Sequence, residues 1–590
     1  MALKNNKIIE TKRHSLAHLL AMAVQGKHPD IKFGIGPIIE NGFYYDFDFS
    51  KIGHSPSQDC LPKLEKEMRE LIKKGVKFER QEISAKEVKK IFANQSFKLE
   101  LINEFKKTGE KILIYKSGNF IDLCAGPHVK STKEINAEAF KLVKIAGAYW
   151  KGSEKNPMLQ RIYGVAFETK KDLQDYLNLL AEAEKRDHRK IGKDLDLFIS
   201  SDLVGKGLPL WTEKGAIIRR EIEKFIVDEE IKRDYRHVIT PDIANVRLYE
   251  ISGHYPYYKD IMYPAMEIDG EKLILRPMSC PHHFTLYQDK IRSYKELPLK
   301  IAELAKLYRY EKSGELTGLI RVRSFCLADS HIFSAEEQAE TVINEVLDLI
   351  EYANGVLGFK KGKDYVYRLS LGDRKNAEKY FKNDKAWVAG EKTLRSVLKK
   401  RRENFIEAKG EAAFYGPKID IQMKNILGKE ETAFTVQYDF CLPERFKLRY
   451  IGKDGKEKQP IVIHRSSVGA IERTIAFLIE KYAGALPLWL SPIQTTVIPI
   501  SEKSEKYGEK VLAELKKNNI RAELAATGET LGKRIREAEL LKIPYILIAG
   551  EKEIKNNSVN VRHYKRGQEG EIKIEKLIKK IKKEIENKII

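Results

Sequence analysis

Two constellations in this 590-residue chain have residue types and spacing suited to chemistry. The first joins His14 and His18, four apart and so on one face of a helix, to Cys124 and His128, again four apart. Four soft or borderline ligands at one-turn spacing suit zinc. The same residues suit a metal-free hydrolytic pocket in which imidazoles move protons to and from a water. They also suit a plain polar helix face beside a buried cysteine, and spacing leaves all three open. The second constellation is Leu304 to Phe333, which reads as a hairpin. Period-two alternation puts Arg309 and Glu311 on one face, and Arg321, Arg323 and Phe325 on one face of the partner strand. The loop between them carries Gly314 and Gly318 and is expected to be exposed and mobile. Two guanidinium forks, a carboxylate and a ring fit a polyanion bearing a planar base. The forks grip phosphates, the ring stacks, and the carboxylate accepts from an amino group. A salt-bridged surface hairpin would give the same pattern.

The elements that must position these groups follow from apolar period and punctuation. A helix is expected from Lys12 to Gln25, capped by Thr11, with Leu16, Leu19, Leu20 and Ala23 inward. A glycine- and aromatic-rich strand-and-turn run follows from Phe33 to Phe49, then an amphipathic helix from Leu61 to Lys74. Strands at Ile112–Tyr115 and Phe120–Leu123 lead into Asp122–His128. Ala183 to Leu197 is a charged connector with little to bury, and the first domain boundary is placed there. Lys214 to Lys232 is a long helix with Ile218, Ile222, Phe225 and Ile226 on its stripe, and Pro241 then ends a strand or starts a turn. Pro487 and Pro492 bracket a short linker. Beyond it, strands at 495–500, 521–525, 545–549 and 559–563 alternate with helices at 505–518 and 531–542. A last helix carries Ile574, Ile578, Ile581 and Ile585. That alternation predicts an α/β domain with a mixed sheet.

Bulk composition narrows the partners. Lys+Arg 107 against Asp+Glu 85 gives a formal charge of +22, which attracts a polyanion such as nucleic acid. A general lysine-rich bias would give the same excess. Length predicts about four domains. The five cysteines are scattered and odd in number, which excludes a disulfide framework and fits a reducing cytoplasm. No apolar leader or membrane-length run is present, so a cytoplasmic location without membrane contact is expected.

The runs HSLAHLLAMAVQ, IGPIIENGFYYDF, DLCAGPHV and AYWKGSEKNPMLQRIYGVAF resemble the editing domain of the threonyl-tRNA synthetase family. Helix, strand and Pro241, then the Arg309–Phe325 hairpin, then Gly469–Arg473, resemble the three class II synthetase signatures in order. LGKRIREAELLKIPYILIAGEKE and VNVRHYKRG resemble the anticodon-binding domain shared by threonyl, prolyl, histidyl and glycyl synthetases. The resemblance implies an α+β multidomain chain: an α+β editing domain at 1–185, a class II antiparallel-sheet catalytic domain at 186–488, and an α/β anticodon-binding domain at 489–590. It implies threonine activation with ATP and Mg²⁺, transfer to tRNA(Thr), editing of serine mischarged onto that tRNA, and a homodimer.

The residues are carried over one by one. Arg309, Arg473, His254 and Lys418 are the expected catalytic residues, and Arg309, Glu311, Arg321, Phe325 and Arg473 the expected ATP contacts. Cys280, His331 and His464 match the family's zinc site, although their separation in sequence says nothing about a shared metal. Three protein ligands leave zinc an open position for threonine's amino and hydroxyl groups. Valine offers no hydroxyl, whereas serine lacks only a methyl, worth about 1–3 kcal/mol. Asp329, Met278 and Tyr415 are expected to face threonine. The editing residues would be His14, His18, Tyr45, Lys98, Asp122, Cys124 and His128, and the tRNA contacts Lys533, Arg534 and Arg562. Rival readings are a non-catalytic RNA-binding regulator and another class II specificity such as prolyl. Both are disfavoured by the retained signature arginines and the zinc triad. Departures from the family pattern are Ala125 for an arginine, and Leu327 and Thr432 for two glutamines that contact the amino acid or its adenylate. The family's small N-terminal ubiquitin-like domain is expected to be missing, since His14 is so near residue 1.

Overall fold

The computed structural model describes residues 2–53 and 55–590. The chain divides into two compact units, one ending at Ala181 and one starting at Glu182.

In the first unit the helix runs Ala2–Lys27, longer than expected. Thr11 lies inside it and donates its hydroxyl to Lys7 O at 2.9 Å, so it is not a cap. The helix buries Leu16, Leu19, Leu20 and Ala23 against Phe43, Tyr45 and Phe47. Each large apolar side chain so buried stabilises the unit by about 1.5–3 kcal/mol. Those aromatics come from Gly42–Asp48, a strand of an antiparallel sheet that continues through Met158–Ala166 to Phe140–Tyr149. The second helix runs Leu61–Lys74 as expected and stops at left-handed Gly75. Glu79–Glu82, Leu113–Ser117 and Phe120–Leu123 form a separate antiparallel sheet, which delivers Asp122 and Cys124 at its end.

The second unit is built on an eight-stranded sheet. Its order is Arg236–His237, Leu299–Tyr308, Ser324–Ser334, Ile461–Ala470, Glu430–Asp439, Lys418–Lys424, Tyr365–Leu371 and Phe405–Lys409. The outermost pair at each edge is parallel and every inner pair antiparallel. Helices Glu213–Ile231, Ala339–Val356 and Ile471–Tyr482 contribute buried stripes to its core, Ile218, Ile222, Phe225 and Ile226 among them.

The expected hairpin is corrected here. Its strands end at Tyr308 and restart at Ser324, so Arg309, Glu311, Arg321 and Arg323 sit in the connection rather than on a pleated face. Ladder pairing stops because Glu311 N turns back to Arg309 O at 2.8 Å. Nor is the connection simply exposed. Leu319 and Val322 are buried, and Leu319 N donates to His188 Nε2 at 3.1 Å.

The C-terminal sheet has the order Ala522–Leu524, Thr495–Pro499, Tyr545–Ala549, Ser558–His563, Gly567–Lys573. Its first three strands are parallel and the last two antiparallel, a mixed sheet as expected. Gly567–Lys573 gave no sequence signal because both its faces are partly exposed and polar. The segment between Pro487 and Pro492 is no loose linker, since Leu488, Trp489 and Leu490 are buried. Among the described residues no helix is long and apolar enough to cross a membrane.

Candidate functional site

A cavity of about 620 Å³ opens on one face of the eight-stranded sheet. Period two along Ser324–Ser334 turns Phe325, Leu327, Asp329 and His331 to the same side. The first three line the cavity, joined by Arg309, Glu311, Arg321, Met278, Tyr415, Lys418, His254, Cys280, His464 and Arg473. Tertiary structure thus gathers residues from six separate segments.

Arg473 reaches the cavity because the chain turns sharply from strand to helix at Gly469. That residue has φ +66°, and a Cβ there would meet Ala433 O at 2.4 Å. Two carbonyls then fix the guanidinium: Nε donates to Ile320 O at 3.0 Å and Nη1 to Thr432 O at 2.6 Å. Burial, with Arg309 and Arg321 nearby, lowers its pKa, so an anion between these arginines would be strongly favoured. The preceding Glu472 is a brace. It accepts from Cys326 N at 2.9 Å and from Arg219 at 2.7 Å. Arg309 lies over the Phe325 ring, 5.2 Å from its centroid, and donates to Pro277 O at 3.3 Å. Glu311 accepts from Arg321 Nε at 2.9 Å. The salt bridge and the nucleotide grip proposed from sequence are therefore the same residues.

At the inner end lie Cys280, His331 and His464, whose ligand atoms fall within 4.8 Å of one another. Cys280 opens the helix Cys280–Gln288. His331 and His464 are directly opposite in the antiparallel ladder. His464 Nε2 is paired with Asp439 Oδ2 at 2.7 Å, which leaves Nδ1 as its open nitrogen. Among the described residues, His331 Nε2 is buried and has no hydrogen-bond partner. A buried, bare imidazole nitrogen beside a second imidazole and a thiol is the donor set of a three-ligand zinc site, so the residues fit that metal.

Around the pocket, Asp329 accepts from Ser279 Oγ, and burial raises its carboxyl above the usual range. Tyr415 donates to Gln437 and stacks on His464 at 5.1 Å. Lys418 Nζ is held by both oxygens of Asp420 at 2.9 and 3.0 Å. His254 is buried beside Ser252 Oγ (2.7 Å), and burial pushes its pKa down to about 3. Leu327 and Thr432 both line the cavity, and the Thr432 hydroxyl already accepts from Gln422 at 2.7 Å. Sequence reasoning missed Asp439, Gln437 and His283. Strand register brings Asp439 and Gln437 to the site, and His283 arrives on the helix that Cys280 opens, three residues after it.

The first unit holds the second cluster. His14, His18, Cys124 and His128 have ligand atoms within 4.8 Å of one another. Cys124 Sγ lies 3.3 Å from both His14 Nε2 and His128 Nε2. Burial lowers the pKa of His14, His18 and His128, and pushes the Cys124 thiol up to about 12. Beneath them Asp122 is buried and paired. Lys98 Nζ is at 2.5 Å, Tyr45 donates at 2.6 Å, and His18 Nε2 lies at 3.5 Å. All seven residues expected at this site lie together. Ala125 is exposed next to Cys124.

The expected tRNA contacts fare differently. Arg534 is corrected: it is 4% exposed, and its guanidinium donates to Pro499 O at 2.6 Å, bracing the sheet rather than facing solvent. Lys533 and Arg562 are solvent-facing but paired with Glu529 at 2.5 Å and Glu539 at 2.7 Å.

Family comparisons match residues 263–482 to the class II tRNA synthetase core domain (G, H, P, S and T) and 494–584 to the anticodon binding domain. Residues 112–163 match the threonyl and alanyl tRNA synthetase second additional domain. The threonine–tRNA ligase of Geobacillus sp. (strain WCH70) is 48% identical over 576 residues, covering 97% of this chain and 88% of that protein. Threonine–tRNA ligase 1 of Bacillus subtilis (strain 168) is 48% identical over 575 residues, with the same coverage. Among solved structures, the RNA binding domain of threonyl-tRNA synthetase from Cryptosporidium parvum Iowa II matches with a TM-score of 0.63 and 35% identity. It covers 67% of this chain and 98% of its own.

Proposed function

This chain belongs to the threonine–tRNA ligase family, and from that premise we propose which of its residues carry each step. The enzyme activates threonine with ATP, transfers it to tRNA(Thr), and hydrolyses serine mischarged onto that tRNA. In the activation step Arg309 holds the α-phosphate and Arg473 the γ-phosphate. Arg321 shares the triphosphate charge with Mg²⁺. Phe325 stacks on adenine while Glu311 accepts from its amino group. The arginines are held in place before substrate arrives, so their charge stabilises the developing one without reorganisation. Lys418 is a further phosphate contact. His254, neutral through the working pH range, serves the transfer to the tRNA ribose.

Cys280, His331 and His464 would hold zinc. When bound, zinc would supply a Lewis acid that takes threonine's amino and hydroxyl groups. Asp329, Tyr415 and Met278 complete the amino-acid pocket. The observation that carries this reading is that Cys280 and His464 line the same cavity as the three arginines, with His331 completing their cluster just behind the wall. A hydroxyl-reading pocket rejects valine but discriminates serine by only about 1–3 kcal/mol, which is why a hydrolytic site accompanies it. There His14, His18, Cys124 and His128 surround the water, and Asp122, fixed by Lys98 and Tyr45, orients His18.

The domain division we propose is editing at 1–185, catalysis at 186–488 and anticodon binding at 489–590, working in the cytoplasm. Ile231, Ile239 and Ile243, all substantially exposed, support a homodimer through the first signature. The test is ATP–pyrophosphate exchange and tRNA(Thr) charging with threonine, serine and valine. Exchange that is equal for threonine and valine would overturn the pocket assignment. Equal release of serine by the unaltered chain and by a chain with His14 and His18 replaced would overturn the editing assignment.

A further inference from the structure

Behind the metal cluster runs a buried polar chain that none of the steps above uses. His331 Nδ1 lies 2.8 Å from His283 Nδ1, and the rings meet edge to face with centroids 4.8 Å apart. On its far side His283 Nε2 lies 3.1 Å from Glu303 Oε2. Glu303 is itself fixed. Thr240 donates its backbone N–H at 3.0 Å and its hydroxyl at 2.8 Å, and Arg276 Nη1 donates at 3.1 Å. His283 and His331 are 0% exposed, Arg276 2% and Glu303 3%.

Donor and acceptor arithmetic places the protons. Burial works to raise the Glu303 carboxyl, but the donors and the Arg276 charge outweigh it and hold it down at about 2. An ionised carboxylate only accepts, so His283 carries its proton on Nε2. The imidazole tautomer that donates from Nε2 to this carboxylate has its lone pair on Nδ1, the atom that faces His331. The contact between the two Nδ1 atoms is then a hydrogen bond in one sense only, with His331 donating. A neutral His331 protonated at Nδ1 has its lone pair on Nε2, the buried nitrogen that finds no hydrogen-bond partner among the described residues.

We infer that His283, held by Glu303, is a positioning residue that fixes the tautomer and orientation of His331 so that Nε2 is bare toward the metal. The inference rests on the reading that Cys280, His331 and His464 hold zinc. A ligand imidazole whose other nitrogen is tied to a buried acceptor is more basic and already oriented, and loss of such a partner costs roughly 10–100-fold in metal affinity. His464 has the shorter arrangement, a direct pairing with Asp439. Oδ1 of that carboxylate is fixed by the backbone N–H groups of Cys441 and Leu442, both at 2.9 Å.

The test measures zinc affinity of the metal-stripped, full-length chain by competition with a chromophoric chelator. Thermal unfolding of each metal-free variant is recorded alongside. His283→Leu is expected to weaken zinc binding by about 10–100-fold. Two polar replacements separate orientation from packing. Asparagine carries its amide at the position of Nδ1 and can still accept from His331. Glutamine carries its amide at the position of Nε2 and reaches only Glu303. His283→Asn is therefore expected to recover most of the affinity and His283→Gln is not. Equal zinc affinity in His283→Asn and His283→Gln, or unchanged affinity in His283→Leu, overturns the inference. Failure of the zinc reading itself looks different: Cys280→Ser would then bind zinc as the unaltered chain does, whatever stands at 283.

Discussion

His331 and His464 are direct partners in the antiparallel register of Ser324–Ser334 and Ile461–Ala470, with ring centroids 4.5 Å apart. Two imidazoles meet at that spacing because period two turns both to the same face of the sheet, and Cys280 is brought over them by the start of its helix.

Cys280→Ala removes one of the three ligands. Threonine-dependent exchange is expected to fall by at least 100-fold, and zinc content of the purified protein to drop in parallel. Metal analysis together with exchange kinetics checks this. Full activity without zinc would defeat the assignment of the cluster.

Arg473 is held by two carbonyls and, among the described residues, meets no carboxylate within hydrogen-bonding range, which leaves its remaining donors for a ligand in the cavity. Arg473→Ala is expected to lower ATP–pyrophosphate exchange by 10²-fold or more, the order seen when one oriented charge donor is lost from a transition state. Near-normal exchange in that variant would refute the role.

Lys98 and Asp122 form a buried ion pair with side chains 2% and 3% exposed. Removing the cation leaves an uncompensated carboxylate, which costs about 3–5 kcal/mol. Lys98→Met is expected to destabilise the first unit by that order in chemical denaturation and to abolish hydrolysis of seryl-tRNA(Thr). The double variant Lys98→Met, Asp122→Leu should recover most of the stability but none of the hydrolysis.

His563 Nδ1 accepts from the backbone N–H groups of Lys565 and Arg566 at 3.1 and 3.2 Å, which requires a neutral ring. Burial, with the Arg566 charge, lowers its pKa from 6.5 to about 4. Between those values the unfolded chain binds a proton that the folded chain does not, so stability rises with pH. This contribution is fully present above about pH 6.5 and is lost as pH falls toward 4. Hydrogen exchange across 563–573 should quicken at pH 5 relative to pH 7, after correction for intrinsic rates. His563→Asn, which keeps an acceptor and cannot titrate, should flatten the dependence.

Arg534 donates to the carbonyls of Pro499 and Ile500. Arg534→Met leaves buried acceptors unpaired, at about 1–3 kcal/mol each. A lower melting temperature of the C-terminal domain is expected, with tRNA affinity of the folded protein within about twofold of unaltered. A large loss of affinity at unchanged stability would restore Arg534 as an RNA contact.

Local order was legible in the residues because it depends on near neighbours. Leu61–Lys74 and Tyr545–Ala549 fall where apolar period and end signals place them. The helical pairing of His14 with His18 follows from 3.6-residue geometry alone. The resemblance to synthetases also lies in the sequence, because its motifs are contiguous runs. Other features required the folded chain. Alternation placed Arg309 and Glu311 on a strand, yet the ladder stops at Tyr308, because pairing depends on what the opposite segment does. Arg534 is expected from sequence to face RNA, yet it is buried, since a cation's exposure is set by whether buried carbonyls or carboxylates meet it. Cys280, His331 and His464, together with His283 and Glu303 behind them, come from four segments, and beyond the one-turn spacing of Cys280 and His283 no spacing rule relates them. Strand register and helix docking alone decide that they meet. Sequence by itself thus determined the elements and the chemistry available; the tertiary structure decided which of those groups share one low-dielectric pocket.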